Sequence, residues 1–127
     1  MCLIRDNSIR ITGDRVWKIL KIKGSLCSLL FEYAWNPGWN MAMLQWESPY
    51  DDLVSFGFHA YINKSDAVNY CKILSIRYPA IKFVVAEFTF NTADLIATGV
   101  HEHNKTEEAV FKRLHLAQEE YQRVLST

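Results

Sequence analysis

Apolar and polar positions alternate most cleanly over Val16–Ile22. Val16, Lys18, Leu20 and Ile22 point one way and Trp17, Ile19 and Lys21 the other, which predicts a strand with one face nearly all apolar. Lys23-Gly24-Ser25 is a turn. Leu26 to Trp35 forms a second apolar run, closed by the turn residues Asn36-Pro37-Gly38. Trp39 to Asp52 has no clear period and suits a short helix or a lid-like loop. Leu53 to Ile62 reads as a third strand. Ala67, Cys71, Leu74 and Tyr78 then recur at helical spacing. Asn63 as N-cap with Asp66 three residues on resembles a capping box, and Pro79 stops the helix. Phe83 to Phe90 is apolar on both faces, as a central strand would be. Asp94 to His101 is a further strand, with Gly99 marking a bulge or a close approach of backbone. His101 to Lys105 is a polar loop.

The last segment carries two readings. Val110, Leu114, Ala117, Tyr121 and Val124 keep helical spacing, and Thr106 followed by Glu107 and Glu108 suits a helix start. That pattern predicts one helix over Glu107–Leu125. A strand from about Ala109 to Leu116 and a short helix after it is the other reading.

Composition bounds these elements to one domain. The 127 residues are enough for a real core. Half are apolar and 13% aromatic, which excludes a disordered chain. Fourteen basic residues balance fourteen acidic ones, so no general field draws nucleic acid or an anionic membrane. Cys2, Cys27 and Cys71 are odd in number and form no CxxC pair, which points to free thiols in a reducing compartment. With neither a signal peptide nor a membrane span expected, the setting is cytoplasmic.

The most informative residues are Gly57-Phe58-His59, Ser65 and Ala67-Val68-Asn69-Tyr70-Cys71. This order of strand, serine-containing turn and helix resembles the NAD-binding core of the ADP-ribosyltransferase superfamily, most closely the poly(ADP-ribose) polymerase branch. The resemblance implies an α+β fold, a small twisted sheet with flanking helices and an ADP-ribosyltransferase-like core. It also implies the strand-then-helix reading of the last segment, which we prefer because the resemblance covers the preceding elements too.

The resemblance further implies a nucleotide pocket bordered by Trp17, Lys18, His59, Tyr61 and Tyr70, between the first strand and the Asp66 helix. Glu108 takes the place of the catalytic carboxylate. Two positions depart from the family type. Lys18 lacks the planar fork of arginine, and His59 replaces an aromatic. The expected function is therefore a non-catalytic pocket that binds a nucleotide related to NAD or ADP-ribose. The alternatives are an active mono-ADP-ribosyltransferase and an inhibitor that binds a host defence protein through exposed aromatics. No cofactor is expected.

The chain also resembles small, mostly uncharacterised proteins of phages and gut bacteria. The shared residues are Met1-Cys2-Leu3, Trp17-Lys18-Ile19-Leu20, Trp35, Gly57-Phe58-His59-Ala60-Tyr61 and Asp66-Ala67. That likeness implies a mobile-element setting, the host cytoplasm and a counter-defence role.

Other candidates weigh less. His101 and His103 would share a face on a strand, but with no third ligand in register a solvated loop is the better reading, and no metal is expected. Cys71 lies on the apolar face of its helix and reads as core. Trp35, Trp39, Trp46, Tyr50 and Tyr61 have the chemistry to stack a base, yet ordinary core accounts for most of them.

Overall fold

Strands, joined mostly by short turns, are the commonest element among the described residues. The computed structural model describes residues 3–29, 33–42, 53, 54 and 56–127. Its strands are β1 (Leu3–Arg5), β2 (Arg15–Lys23), β3 (Ser25–Ser28), β4 (Gly38–Met41), β5 (Leu53–Val54) and β6 (Phe58–Tyr61). Helix α1 (Lys64–Arg77) follows, then β7 (Lys82–Thr89), β8 (Leu95–His101), β9 (Glu107–Phe111), β10 (Arg113–Leu116) and helix α2 (Gln118–Leu125). A short 3-10 turn, Thr92–Asp94, leads into β8.

Every ladder is antiparallel. The order is β4-β10-β7-β2-β6-β9-β8-β1-β5, with β3 also beside β2. β9 and β10 are separated by Lys112 alone. Yet β9 pairs with β6 and β8, while β10 pairs with β7 and β4. One bent strand thus joins two places in the sheet that lie four strands apart, and the sheet curls into a barrel-like ring. Asp94 holds the bend. Its carbonyl accepts from the Lys112 N–H at 2.8 Å, and its carboxylate accepts from Arg113 at 3.0 and 3.1 Å.

The inside of the ring is the main core. Val16, Leu20, Phe58, Ala60, Ala86, Phe88, Ala109, Phe111, Leu114 and Leu116 face one another there, with Trp35 among them. Trp35 is 1% exposed. It packs on Tyr33, Phe58 and Phe88 with ring centroids 4.4 to 4.9 Å apart. Val124 of α2 reaches the same core. Helix α1 lies outside, its Ala67 and Leu74 on Ile19, Trp17, Tyr61, Phe83 and Val85.

The expected α+β core of the ADP-ribosyltransferase kind is corrected by this architecture. The chain builds a mostly antiparallel sheet with only two α-helices among the described residues, and no solved structure of that kind matches it. The connections explain the difference. Most strands follow one another through turns too short for a helix, and the one long polar-apolar segment at helical period is α1.

Three local expectations also change, and one open choice, at Gly99, is decided. The strand over Leu53–Ile62 is two strands at distant places in the sheet, β5 at one end and β6 in the middle. Gly57 separates them with φ of +100°, and a β-carbon there would lie 2.6 Å from Val110 Cγ1. Asn63 makes no side-chain cap to α1 and donates instead to Glu107 Oε1 at 3.2 Å. Trp39 to Met41 is part of β4, where an irregular segment was expected, and most of the rest of that segment lies outside the described residues. Gly99 is a close approach, since a β-carbon would overlap the Ile4 carbonyl oxygen.

The last segment is two strands and a helix. Lys112 shifts the alternation by one, so Ala109, Phe111, Leu114 and Leu116 all face inward. That one-residue interruption is what makes the spacing look helical in the sequence.

Candidate functional site

The sheet carries a fork at Lys18. On one edge β2 pairs continuously with β7, from Arg15 to Ile22. On the other edge it pairs with β6 only at Trp17, opposite Tyr61, and with β3 only from Leu20 onward. Lys18 sits where the partner changes. It lies opposite Ala86 and leaves β2 on the same side as Val16 and Leu20, into the ring. Its Nζ donates to the His59 carbonyl and lies 5.8 Å from the Trp35 ring centroid, within reach of the ring quadrupole. Burial pushes the ammonium down to about 8, and the charge of Glu108 works against that shift.

Trp17 faces the opposite way. It stands in a register row that crosses the outer face: Glu87 of β7, Trp17, Tyr61 of β6, Glu108 of β9, Gly99 of β8 and Arg5 of β1. Glu108 is 5% exposed and accepts from Thr106 Oγ1 at 3.0 Å. Burial pushes its carboxyl up to about 7, with the Thr106 hydrogen bond and the Lys18 charge opposing. Burial and the nearby Glu108 raise the Tyr61 phenol well above its usual range. Tyr70 of α1 packs in the same outer cluster.

The expected residues therefore fall into two groups. Trp17, Tyr61 and Glu108 are neighbours in one row, with Tyr70 packed nearby. Lys18 is inside the ring and meets the His59 main chain, while the His59 side chain, one residue from Phe58 and Ala60, leaves on the outer face. The single concave site expected to hold Lys18 and His59 together is not formed, because strand alternation sends the two side chains to opposite faces. His101 is occupied locally, its Nδ1 accepting from the N–H groups of His103 and Asn104 at 3.2 and 3.0 Å. Among the described residues, no group of three or more His, Cys, Asp or Glu is arranged to hold a metal ion.

A cleft of about 520 Å³ opens elsewhere, between α1 and α2 along β7. Trp17 forms part of its wall, and Lys18, His59, Tyr61, Tyr70 and Glu108 do not. The indole Nε1 of Trp17 is buried and has no acceptor among the described residues. A buried donor without a partner costs about 1–3 kcal/mol.

The charges at the cleft divide unequally. Glu120 and Arg123 of α2 pair with each other at 2.6 Å, and Glu87 pairs with Arg15. Lys64 and Lys82 add two more cations, the Lys64 charge acting on Glu120, so the lining side chains carry a small basic excess that favours an anion. Sequence reasoning missed α2's part in this wall. The alternation of Glu120 and Arg123 with apolar residues gives the helix, but not the strand it leans on.

No protein-family model matches the chain, no curated protein resembles it, and no solved structure matches its fold. No helix among the described residues is long and apolar enough to cross a membrane.

Proposed function

We propose that this protein is a binding module that performs no reaction, and that the α1–α2 cleft is its ligand site. The observation that carries this reading is the cleft itself, walled by the Trp17 side chain and bordered by the exposed cations Lys64 and Lys82. A ligand with anionic oxygens and a flat ring suits that chemistry, because lysine meets phosphate as a point charge and an indole offers its face for stacking. Nucleotides related to NAD or ADP-ribose belong to this class. Sequestering such a signal in a host cytoplasm, without binding nucleic acid, is the role we assign.

The transferase alternative is weaker. Its carboxylate, Glu108, is buried beside Tyr61 and hydrogen-bonded to Thr106, away from the cleft.

Calorimetry with NAD, ADP-ribose and ATP tests the reading. Saturable binding is expected, lost in the exposed double variant Lys64→Glu with Lys82→Glu and kept in Glu108→Gln. Transfer of label from NAD onto proteins of a host lysate, abolished in Glu108→Gln, would replace the binding module with an enzyme.

A further inference from the structure

The floor of the cleft is a strand edge. In an antiparallel sheet, successive residues direct their backbone groups to alternate edges. The Glu87 N–H donates to Glu120 Oε2 at 2.7 Å, away from β2. By alternation the main-chain groups of Phe83 and Val85 point the same way. β10 pairs with β7 only at Thr89, so it leaves this edge uncovered. Helix α2 takes over part of the task. Its Glu120 carboxylate accepts from Glu87 N–H, and its Arg123 guanidinium donates to the Val85 carbonyl at 3.0 Å. Two side chains stand in for the next strand over half of the edge. Among the described residues, the N–H of Val85 and both main-chain groups of Phe83 have no such cover.

Such an edge asks for an extended backbone, which supplies a donor and an acceptor at the strand repeat. The space beside it has the matching shape. A second hollow of about 430 Å³ shares Val68, Cys71 and Val85 with the cleft and continues it along α1 to Ile76. From Lys64 to Ile76 the helix rises about 18 Å, the length of five or six residues of strand at about 3.3 Å each. The hollow's wall is mostly apolar, and Lys64 and Lys82 set the charge at the cleft end.

We propose that the uncovered edge of β7 accepts an acidic, extended peptide segment as an added strand, with the Glu120–Arg123 pair marking where it stops. This rests on the cleft being the ligand site and gives it a second class of ligand beside the nucleotide, a peptide segment of a partner protein. Side chains on one side of the added strand meet Val68 and Cys71. Its carboxylates meet Lys64 and Lys82.

The test uses a library of blocked seven-residue peptides that alternate glutamate with apolar residues, screened against the whole chain. Members retained at about 0.1 mM, an affinity scale of roughly 5 kcal/mol, are expected. For a retained peptide, N-methylation of alternate amides should weaken binding by ~10-fold or more, since each hydrogen bond removed costs about 1 kcal/mol. Amide exchange at Phe83 and Val85 should slow in the complex. Equal binding of the N-methylated peptide, unchanged exchange at both amides, or an empty screen overturns strand addition. A nucleotide that binds the cleft when no peptide does overturns strand addition and leaves the cleft as the site; if neither binds, both proposals fall.

Discussion

Trp17 and Lys18 are adjacent in β2 and serve two different regions. Lys18 enters the ring, where its ammonium finds the His59 carbonyl and the Trp35 face. Trp17 faces α1, where its N–H finds nothing among the described residues. Inside, a costly polar group is matched by the chain itself, in keeping with a region whose task is to hold shape. Outside, a cheaper polar group is buried without a match among the described residues, in a side chain that helps wall the cleft. Satisfaction of buried polar groups separates the two more sharply than residue type does, since lysine is by habit the more functional of the pair.

The contrast breaks first at Trp35. If the ring interior is the structural region, Trp35→Ala should cost about 3–5 kcal/mol, the range for deleting a fully buried aromatic. Urea unfolding measures it, and a loss under about 1 kcal/mol would remove the distinction between inside and outside.

Glu108 sharpens the comparison through pH. Its folded value of about 7 lies above the ordinary 4.5, so the folded chain binds more protons between those values. Its contribution is full below pH 4.5 and is lost as pH rises to 7, amounting to about 2 kcal/mol between pH 5 and 7. Lys18 has the opposite sign. Its folded value of about 8 lies below 10.5, so stability present above 10.5 is lost as pH falls to 8. Together the two groups place a stability minimum between pH 7 and 8. Melting temperature against pH reads both arms. Glu108→Gln should flatten the acid arm and leave the alkaline one, and an unchanged acid slope in that variant would show that another group carries it.

The smallest effect belongs to Trp17. Benzothienylalanine at position 17 keeps the shape of the indole and has no N–H. Removing a buried, unpartnered donor should raise stability by about 1 kcal/mol. A loss of that size would mean that the N–H is already satisfied, and the outer region would lose its mark.

Local features were the legible ones. Helix α1 announces itself through Ala67, Cys71, Leu74 and Tyr78, and Pro79 gives its end. The strand at Val16 shows in its alternation. The break at Gly57 was harder, because the residues on both sides are apolar and only a positive φ separates β5 from β6. β4 was hidden for the reverse reason. Its Trp39 and Met41 are 48% and 66% exposed on an edge strand while the polar Asn40 between them is buried, so burial alternates against the hydrophobic pattern. The site divides in the same way. Trp17, Tyr61 and Glu108 were named from a motif and stand side by side. Whether Lys18 shares a face with His59, and which edge of β7 lies open, depend on pairings between residues some 40 to 70 positions apart. No local pattern carries that information.

The bent strand that joins β9 to β10 also sets a timetable. β1 pairs with β8, Leu3 opposite His101, and β2 pairs with β7. Pairings of such high contact order fold slowly. During synthesis at roughly 5 to 20 residues per second, β1 waits some 5 to 20 seconds for β8, the later of its two neighbours, to exist. The last segment then sutures separate pieces, β9 joining β6 to β8 and β10 joining β7 to β4. A nascent chain stopped before Glu107 holds those pieces unjoined, with raw edges prone to stick to its siblings on the same polysome.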